Sequence, residues 1–250
     1  MSILPTTKTP PKASLSDLTV LLYGKTKLGK SSFSSHAESA LFLATEPGLN
    51  SLSAYQVPIQ CWDDLLAACA EIAEGNHPFK TIIIDTVDNA YRFCTDYILR
   101  KFKAEHEADL PYGKGYALIS NEFQRVLTKL AFLPYGLYLI SHAKEVEVET
   151  RTGKYTRIIP TLPDKARKMV LGMADMVLFC DLESQTGANG EPLVRRVIRT
   201  KPSVYFEAGD RTGRLPETLD LDYSKFVEAF HAATAANPAT KPAAKPAATK

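Results

Sequence analysis

Residues 18–32 read LTVLLYGKTKLGKSS, an apolar run followed at once by a glycine-rich loop that ends in Lys and Ser. The spacing G-x-x-x-x-G-K-S, with a strand-type segment before it and a helix-compatible segment after it, is the P-loop pattern. Backbone N–H groups of such a loop wrap an anionic phosphate chain. The sequence therefore predicts a nucleotide site formed by Gly24, Lys25, Thr26, Lys27, Leu28, Gly29, Lys30, Ser31 and Ser32.

Two side chains of this loop have expected roles. Lys30 reaches the β- and γ-phosphates, and the Ser31 hydroxyl ligates Mg²⁺. ATP and Mg²⁺ are accordingly the predicted cofactors. The alternative, a chance Gly/Lys turn between a strand and a helix, is disfavoured because the strand, both glycines, the lysine and the serine are all in place. The loop predicts a bound nucleotide but not its use.

Composition sets the class of protein. The chain has 250 residues, of which 45% are hydrophobic and 23% charged, as in a single globular domain with a substantial core. A net charge of +2 means that any nucleic-acid site must be a local patch. The four cysteines lack C-x-x-C spacing, which favours reduced thiols in a cytosolic protein. No apolar run reaches the length of a membrane span, and we expect a cytoplasmic protein without membrane contact.

Both ends of the chain differ in composition from the centre. Residues 1–16 are rich in Thr, Pro, Lys and Ser and are expected to form a flexible arm. Residues 235–250 consist largely of Ala, Pro and Lys, and such a tail is expected to be disordered. It is interpreted as a solvated linker, with a weak electrostatic handle on nucleic acid or a partner as the alternative. Residues 17–234 are left as the folded core.

The core alternates between strand and helix patterns. Strands are predicted at 18–23, 40–45, 57–60, 80–85, 136–141 and 175–180, and helices at 30–38, 62–74, 87–106, 116–132, 163–172 and 223–234. Near-continuous apolar runs at 80–85 and 136–141 indicate central strands of a parallel sheet. Residues 144–159 alternate with period two around Arg151-Thr-Gly153, which predicts a projecting β-hairpin, and 193–207 is a further β-rich stretch. The predicted fold class is α/β, a mostly parallel sheet flanked by helices.

Acidic side chains follow two of these strands. Asp85 ends a strand of apolar residues, and its carboxylate is expected to hold Mg²⁺ through water, opposite Ser31. Glu46 follows the strand after the P-loop helix and is the candidate base that activates the attacking water. The alternative for Glu46 is a structural role at the turn formed with Pro47. Asp88 is the second candidate base, although an acid also suits the first turn of its helix.

A histidine follows the strand at 136–141. A polar residue here would lie near the γ-phosphate, so His142 is a candidate catalytic residue that reports hydrolysis to the hairpin beginning two residues later. The alternative is an ordinary histidine at the end of a strand.

In this order, the P-loop, Glu46, Asp85 and His142 resemble the RecA-type recombinase core, a RecA-like P-loop NTPase. Within that superfamily, the chain over 17–232 is most similar to short, phage-encoded, core-only ATPases, including Sak-type single-strand annealing proteins. The segments that carry the similarity are LATEPGL at 43–49, ISHAKE at 140–145 and EAGDRTG at 207–213. The resemblance implies that Glu46 is the base, that His142 senses the nucleotide, and that the host cytoplasm is the location. We expect no sizeable domain to flank the core, unlike in full-length RecA-type recombinases, and the sensor position has His rather than the more usual Gln.

The resemblance also implies two DNA-binding segments. The first, at 107–116, contains Tyr112 and Lys114 beside two glycines, and basic, aromatic loops of this kind stack bases and hold phosphate. The second is the hairpin, whose expected DNA-binding residues are Arg151, Lys154, Tyr155 and Arg157. The alternative for the hairpin is a subunit contact.

Relatives of this type assemble into rings or filaments, in which a basic residue crosses to a neighbour's γ-phosphate. Lys201 and Arg211, together with Arg199, are the candidates for this role in trans. The expected partners are single-stranded DNA and further copies of the chain, and a single-strand binding protein is a further candidate. The favoured function is an ATP-dependent recombination protein that promotes annealing or strand pairing. The alternatives are a helicase core or loader-type ATPase in phage replication, and a nucleotide-gated regulator without DNA contact.

Overall fold

A ten-stranded, mostly parallel sheet forms the centre of the computed structural model, which describes residues 4–111, 114–151, 153–186 and 191–235. The strands are β1 Thr19–Gly24, β2 Ala40–Ala44, β3 Tyr55–Pro58, β4 Thr81–Asp85, β5 Gly136–Thr150, β6 Gly153–Pro160, β7 Met176–Thr186, β8 Pro192–Arg199, β9 Gly209–Asp210 and β10 Thr218–Asp220. The helices are α1 Lys30–Ser34, α2 Trp62–Glu74, α3 Val87–Phe102, α4 Lys114–Ala131, α5 Asp164–Met173 and α6 Tyr223–Ala235.

The sheet order is β10-β8-β7-β1-β5-β4-β2-β3, with β6 paired to β5 and β9 to β7. All pairs from β7 to β3 along this path are parallel, whereas β8 and β10 are added antiparallel. The carboxyl ends of β1, β2 and β4, and the point in β5 where pairing with β1 ends at His142, therefore lie at one edge of the sheet, where open α/β sheets bind their ligands. The predicted α/β class with a mostly parallel central sheet is confirmed.

Helices cover both faces of the sheet because its central strands are apolar on both sides. Every residue of β1 and β4 is buried. On one face, Leu21, Tyr23 and their neighbours pack with α2, α3, α4 and α5. On the other face, Val20, Leu22 and their neighbours pack with α1 and α6. Two cores thus hold the rim of the sheet rigid from both sides.

All predicted helices and strands are present, with boundary shifts. The helix predicted at 30–38 ends at Ser34. Beyond it the backbone forms i to i−3 hydrogen bonds, from His36 N to Phe33 O and from Ala37 N to Ser34 O, which are the bonds of tight turns and not of an α-helix. The helix predicted to reach residue 106 ends at Phe102, and Lys103 follows in a left-handed conformation with φ 54°.

The predicted hairpin is confirmed, but its junction with the sheet is different from the prediction. The strand predicted to end at Ser141 continues without a break to Thr150. His142 is the last residue of β5 that pairs with β1, and Ala143 is the first that pairs with β6. His142 therefore lies inside a continuous strand at the root of the hairpin. The edge of β5 that pairs with β4 continues beyond the end of β4 and pairs with β6, where Thr161 N donates to the His142 carbonyl oxygen, so no loop intervenes.

The segment before β1 is only partly packed on the core. Residues 4–13 are exposed and form neither helix nor strand, whereas Leu15 is buried in the second core. Residues 236–250 lie outside the described residues, so the prediction for the tail stays a prediction. Within the described ranges, no helix is both long enough and apolar enough to cross a membrane.

Candidate nucleotide-binding site

The P-loop connects β1 directly to α1. A Cβ atom on Gly24 would lie 2.5 Å from the Cys180 carbonyl oxygen of the adjacent strand β7, so only glycine fits there. Gly29 precedes α1 with φ 102°, a conformation that glycine adopts without strain. Glycine is thus required at the two positions for different reasons: a close contact with β7 at the end of β1, and a positive φ at the start of α1.

Lys30 is buried beneath this loop. Its Nζ donates to the carbonyl oxygens of Gly24 and Lys25, at 2.9 Å each. Burial lowers the pKa of the Lys30 amine. Asp85, Glu46 and Asp88 all favour its charged form, so the ammonium is surrounded by carboxylates at the rim of the sheet.

Ser31 and Asp85 form the predicted pair for a cation. The Ser31 hydroxyl donates to Asp85 Oδ2 at 2.6 Å, and burial raises the pKa of the Asp85 carboxyl. One hydroxyl and one carboxylate beside a phosphate cradle match the donor set of Mg²⁺, which keeps waters and phosphate oxygens as its other ligands. No cluster of three or more His, Cys, Asp or Glu capable of holding a metal is found among the described residues. The residues therefore fit Mg²⁺ that is bound together with a nucleotide, rather than a metal held by protein alone.

Glu46, which follows β2, and His142, at the root of the hairpin in β5, meet at this edge of the sheet. Glu46 Oε2 lies 3.5 Å from His142 Nε2 and accepts from Asn89 Nδ2 at 3.3 Å. The hydrogen bond with His142 lowers the pKa of the Glu46 carboxyl, and the same bond raises the pKa of the His142 imidazole. Each side chain is about 30% exposed. Glu46 is thus held ionised and still reaches the cavity.

This pairing makes a pH-dependent prediction. In the wild-type protein, His142 should titrate above its ordinary value of 6.5, because its protonated form donates to a carboxylate. Glu46→Gln removes that charge, so the pKa of His142 should fall toward or below the ordinary value. The measurement is a pH titration of the histidine ring signals by NMR, with His142→Gln used to assign the peak. An identical His142 pKa in both proteins would show that the pair does not form.

Asp88 has a different environment from Glu46. Asp88 Oδ1 accepts from the Ser141 hydroxyl and Oδ2 from the His142 backbone N–H, both at 2.9 Å. Burial raises the pKa of the Asp88 carboxyl. Because both oxygens are engaged with β5, Asp88 fixes the position of the His142 backbone, and Glu46 remains the better candidate base.

The P-loop, Asp85, Glu46 and His142 surround one cavity of about 560 Å³. It is lined by Thr26, Lys27, Gly29, Lys30, Ser31, Ser32, Glu46, Gly48, Ser51, Leu52, Asp85, His142 and Arg196. Arg196 is the one basic side chain of this lining that the sequence did not predict. It extends from β8, and its Nη1 donates to the Leu28 carbonyl oxygen of the P-loop at 3.2 Å.

The structure separates the residues predicted to bind DNA. Tyr112 lies outside the described residues, and Lys114 begins α4, so residues 114–116 are helix rather than loop. Gly115 packs so tightly on the preceding segment that a Cβ would lie 2.2 Å from the Glu107 carbonyl oxygen, so only glycine fits there. The first predicted DNA loop is therefore shorter than expected.

In the hairpin, the β5–β6 register divides the predicted residues between two faces. Lys154 lies opposite Glu149 on the face that carries the hairpin's glutamates, and its Nζ is 2.9 Å from Glu147 Oε1. Tyr155 and Arg157 lie on the other face. Tyr155 packs edge-on against Tyr205, with ring centroids 5.9 Å apart.

Arg157 is also occupied on that face, since it pairs with Glu207 at 3.3 Å. Arg151 is exposed at the hairpin turn. The three cations therefore have different settings: Arg151 is at the turn, Lys154 is among glutamates, and Arg157 is engaged within the chain. Their role in DNA binding stays a prediction.

The candidates for action in trans all have partners in their own chain. Lys201 pairs with Asp210 at 3.1 Å, and Arg211 pairs with Asp175 at 3.0 Å. Arg199 pairs with Asp181 and Glu183. Each would have to leave an ion pair to reach a neighbouring subunit.

The family follows from a comparison with known proteins. A family model described as an AAA domain matches residues 16–212, most of the core that carries this cavity. The chain belongs to the AAA domain family. Together with the sheet order and the P-loop geometry, this membership makes the domain a nucleotide-binding P-loop protein of the ATPase type. The RecA-like assignment within that class stays a prediction.

One relative of the AAA domain protein is the SPβ prophage-derived uncharacterized protein YorG of Bacillus subtilis (strain 168). It is 25% identical over 187 residues, which cover 72% of this chain and 54% of that protein. The chain thus spans about half the length of the curated relative that it matches.

Similar solved structures include a KaiC-like protein from Pyrococcus horikoshii OT3, with 15% identity and a TM-score of 0.39 over 74% of this chain and 78% of that one. The flagellar accessory protein FlaH from Methanocaldococcus jannaschii has 12% identity and a TM-score of 0.39 over 74% and 77% of the two chains.

Proposed function

We propose that this AAA domain protein is a Mg²⁺-dependent ATPase that binds single-stranded DNA and promotes annealing or strand pairing. The observation that carries the ATPase assignment is the convergence of Lys30, Ser31, Asp85 and Glu46 on one cavity. A phosphate cradle, a cation pair and an ionised carboxylate are the groups that hydrolysis of a phosphoanhydride requires.

Each group has a chemical task in this proposal. Lys30 exchanges its two P-loop carbonyl partners for phosphate oxygens. Ser31 and Asp85 would hold Mg²⁺, which when bound neutralises charge on the β- and γ-phosphates. Glu46 accepts a proton from the water that attacks the γ-phosphorus, and its lowered pKa keeps it in the ionised state that this step needs.

The coupling to DNA rests on the root of the hairpin. His142 contacts Glu46 through its side chain, and its strand continues directly into the hairpin. Lys25 of the P-loop also lies 3.2 Å from Glu145 of the hairpin, between two exposed side chains. These two contacts support transmission of the nucleotide state to the hairpin, because a shift at either residue moves the same strand.

The annealing role is the finer part of the proposal and is supported by the resemblance to Sak-type proteins. The prophage origin of the YorG relative supports a phage-encoded protein that acts beside phage DNA in the host. Assembly into a ring or filament is proposed on the same resemblance. It requires Lys201, Arg211 or Arg199 to exchange its partner within the chain for a neighbour's phosphate.

The direct test measures ATP turnover with and without Mg²⁺ and single-stranded DNA, alongside particle size. Turnover that needs Mg²⁺ and rises with DNA, followed by annealing of complementary strands, is the expected result. Sustained DNA unwinding would favour the helicase or loader alternative. Turnover in a protein that binds no DNA at any salt concentration would favour the nucleotide-gated regulator.

A charge variant tests the hairpin specifically. Lys144 and Arg151 form none of the ion pairs found among the described residues, so Lys144→Gln with Arg151→Gln should weaken binding of single-stranded DNA. Loss of two phosphate contacts should flatten the slope of log affinity against log salt concentration by about 1.4. The measurement is fluorescence anisotropy of labelled oligonucleotide across a salt series.

The matched control removes the same charge far from the hairpin. Lys12 and Lys80 are exposed and lie near the amino ends of β1 and β4, at the opposite edge of the sheet. Lys12→Gln with Lys80→Gln should leave the slope as it is in the wild type. Equal slopes in all three proteins would show that the hairpin does not contact the DNA.

A further inference from the structure

A short extended segment lies beside the hairpin, on the edge of β6 away from β5. Ile158 and Phe206 form a parallel bridge, and Ile158 N donates to the Tyr205 carbonyl oxygen at 2.7 Å. Paired residues of neighbouring strands share a face, and side chains alternate between faces along each strand. Arg157 and Tyr205 therefore lie together on the other face. Residues 205–207 thus widen that face of the hairpin.

Tyr23 holds this segment in place from the sheet. Its hydroxyl donates to the Glu207 carbonyl oxygen at 2.7 Å and accepts from the Glu207 backbone N–H at 2.9 Å. Tyr23 itself is fully buried in β1, directly before the P-loop. Bonds to β1 and to β6 therefore fix the backbone that carries Tyr205. A fixed backbone lowers the entropy cost of binding a partner through that side chain.

The two faces of the hairpin differ in charge. One face carries three carboxylates of β5, those of Glu145, Glu147 and Glu149. On the other face, the described residues of β5 and β6 include no carboxylate. We call this second face the tyrosine face, and its residues at the surface include Lys144, Val146, Val148, Tyr155, Arg157 and Tyr205. A polyanion is repelled by the first face and accepted by the tyrosine face.

We propose that the tyrosine face is a stacking platform for the bases of single-stranded DNA, with Tyr205 and Tyr155 as its base-contacting residues. The inference rests on the proposed binding of single-stranded DNA and identifies the face that makes contact. Tyr205 is 57% exposed, and its ring packs edge-on against Tyr155 with the centroids 5.9 Å apart. An edge-on pair leaves flat ring surface open to a base, and such stacking tolerates any base sequence.

Single strands suit this surface better than a duplex or a second copy of the chain. The bases of a duplex stack on one another, so an aromatic platform gains most from unpaired bases. Lysine is depleted at protein–protein interfaces, whereas Lys144 lies on this face beside Val146 and Arg157. A lysine beside stacking rings matches the pairing of phosphate and base in one strand.

The test compares an oligonucleotide of thymidines with an abasic oligonucleotide of equal length, which has the phosphates but no bases. Tyr205→Ala should weaken binding of the thymidine strand about tenfold, the scale of one lost stacked base, and leave binding of the abasic strand unchanged. The slope of log affinity against log salt concentration should stay at the wild-type value, because no phosphate contact is lost. The measurement is fluorescence anisotropy across a salt series.

Three further variants complete the design. Tyr155→Ala removes the second ring and should weaken binding of the thymidine strand by a similar factor. Tyr205→Phe keeps the ring and should retain most of the affinity. Tyr55→Ala is the matched control, because it truncates a tyrosine that is 71% exposed on β3, three strands away from β5. It should bind both oligonucleotides as the wild type does.

Four results would overturn the proposal. Unchanged affinity in both Tyr205→Ala and Tyr155→Ala, beside a reduced salt slope in Lys144→Gln with Arg151→Gln, would reject the platform but keep the hairpin as the DNA site. Equal losses on the thymidine and abasic strands would indicate a disturbed backbone instead of lost stacking. A smaller particle with unchanged DNA affinity would assign the face to a second copy of the chain. A wild type that binds no DNA would reject the platform together with the proposed DNA function, and leave the ATPase assignment standing.

Discussion

Glu46→Gln is expected to lower kcat for ATP hydrolysis by about 10²–10⁴-fold, the usual contribution of a general base. The amide keeps the shape of the side chain but cannot accept the proton of the attacking water. ATP affinity should change by only a few-fold, since the contacts to phosphate come from the P-loop. Single-turnover kinetics and equilibrium ATP binding, measured on the same preparation, separate the two effects.

The matched control is Glu38→Gln, the same chemical change at an exposed position just before β2. It should leave kcat at the wild-type value. Near-normal turnover by Glu46→Gln would show that another carboxylate is the general base. Asp88 would then be the first to examine, although both of its oxygens accept hydrogen bonds from β5.

Local patterns were sufficient for most of the fold. The apolar runs that form β1 and β4 are buried along their whole length, as the sequence predicted for central strands covered on both faces. The predicted proximity of Glu46, Asp85 and His142 followed from strand ends alone. Parallel strands bring their carboxyl ends to one edge whatever their order, so the site was predictable without the topology.

The features that were missed depend on pairings between distant segments. Arg196 lies more than 160 residues from Leu28 in sequence, and it reaches the P-loop only because β8 pairs antiparallel with β7 beside β1. The face on which a hairpin residue lies depends on the β5–β6 register, and a shift of one residue would exchange the faces. The register places Lys154 on the same face as the hairpin's glutamates. The period-two pattern of the sequence alone did not determine on which face it lies.

Lys30→Ala is expected to lower ATP affinity by at least about 100-fold, close to 2.8 kcal/mol at 1.4 kcal/mol per tenfold change. Two or more charge-assisted hydrogen bonds to phosphate are lost, and each contributes about 1.5–3 kcal/mol. The fold should tolerate the change, because the variant removes a buried ammonium whose pKa is already lowered by desolvation. Thermal unfolding with and without ATP measures both properties, and the rise in Tm caused by ATP should disappear.

Lys25→Ala and Lys27→Ala are the controls within the same loop, since both side chains are exposed. Their backbone N–H groups remain available to phosphate, so ATP should still raise Tm in both variants. If Lys30→Ala kept an ATP-induced rise in Tm equal to that of the controls, the loop would not be the phosphate site. If Lys25→Ala alone lost DNA stimulation while keeping ATP affinity, the cause would be the lost contact between Lys25 and Glu145, which joins the P-loop to the hairpin. The three lysines of one loop therefore separate nucleotide binding from its transmission to the hairpin.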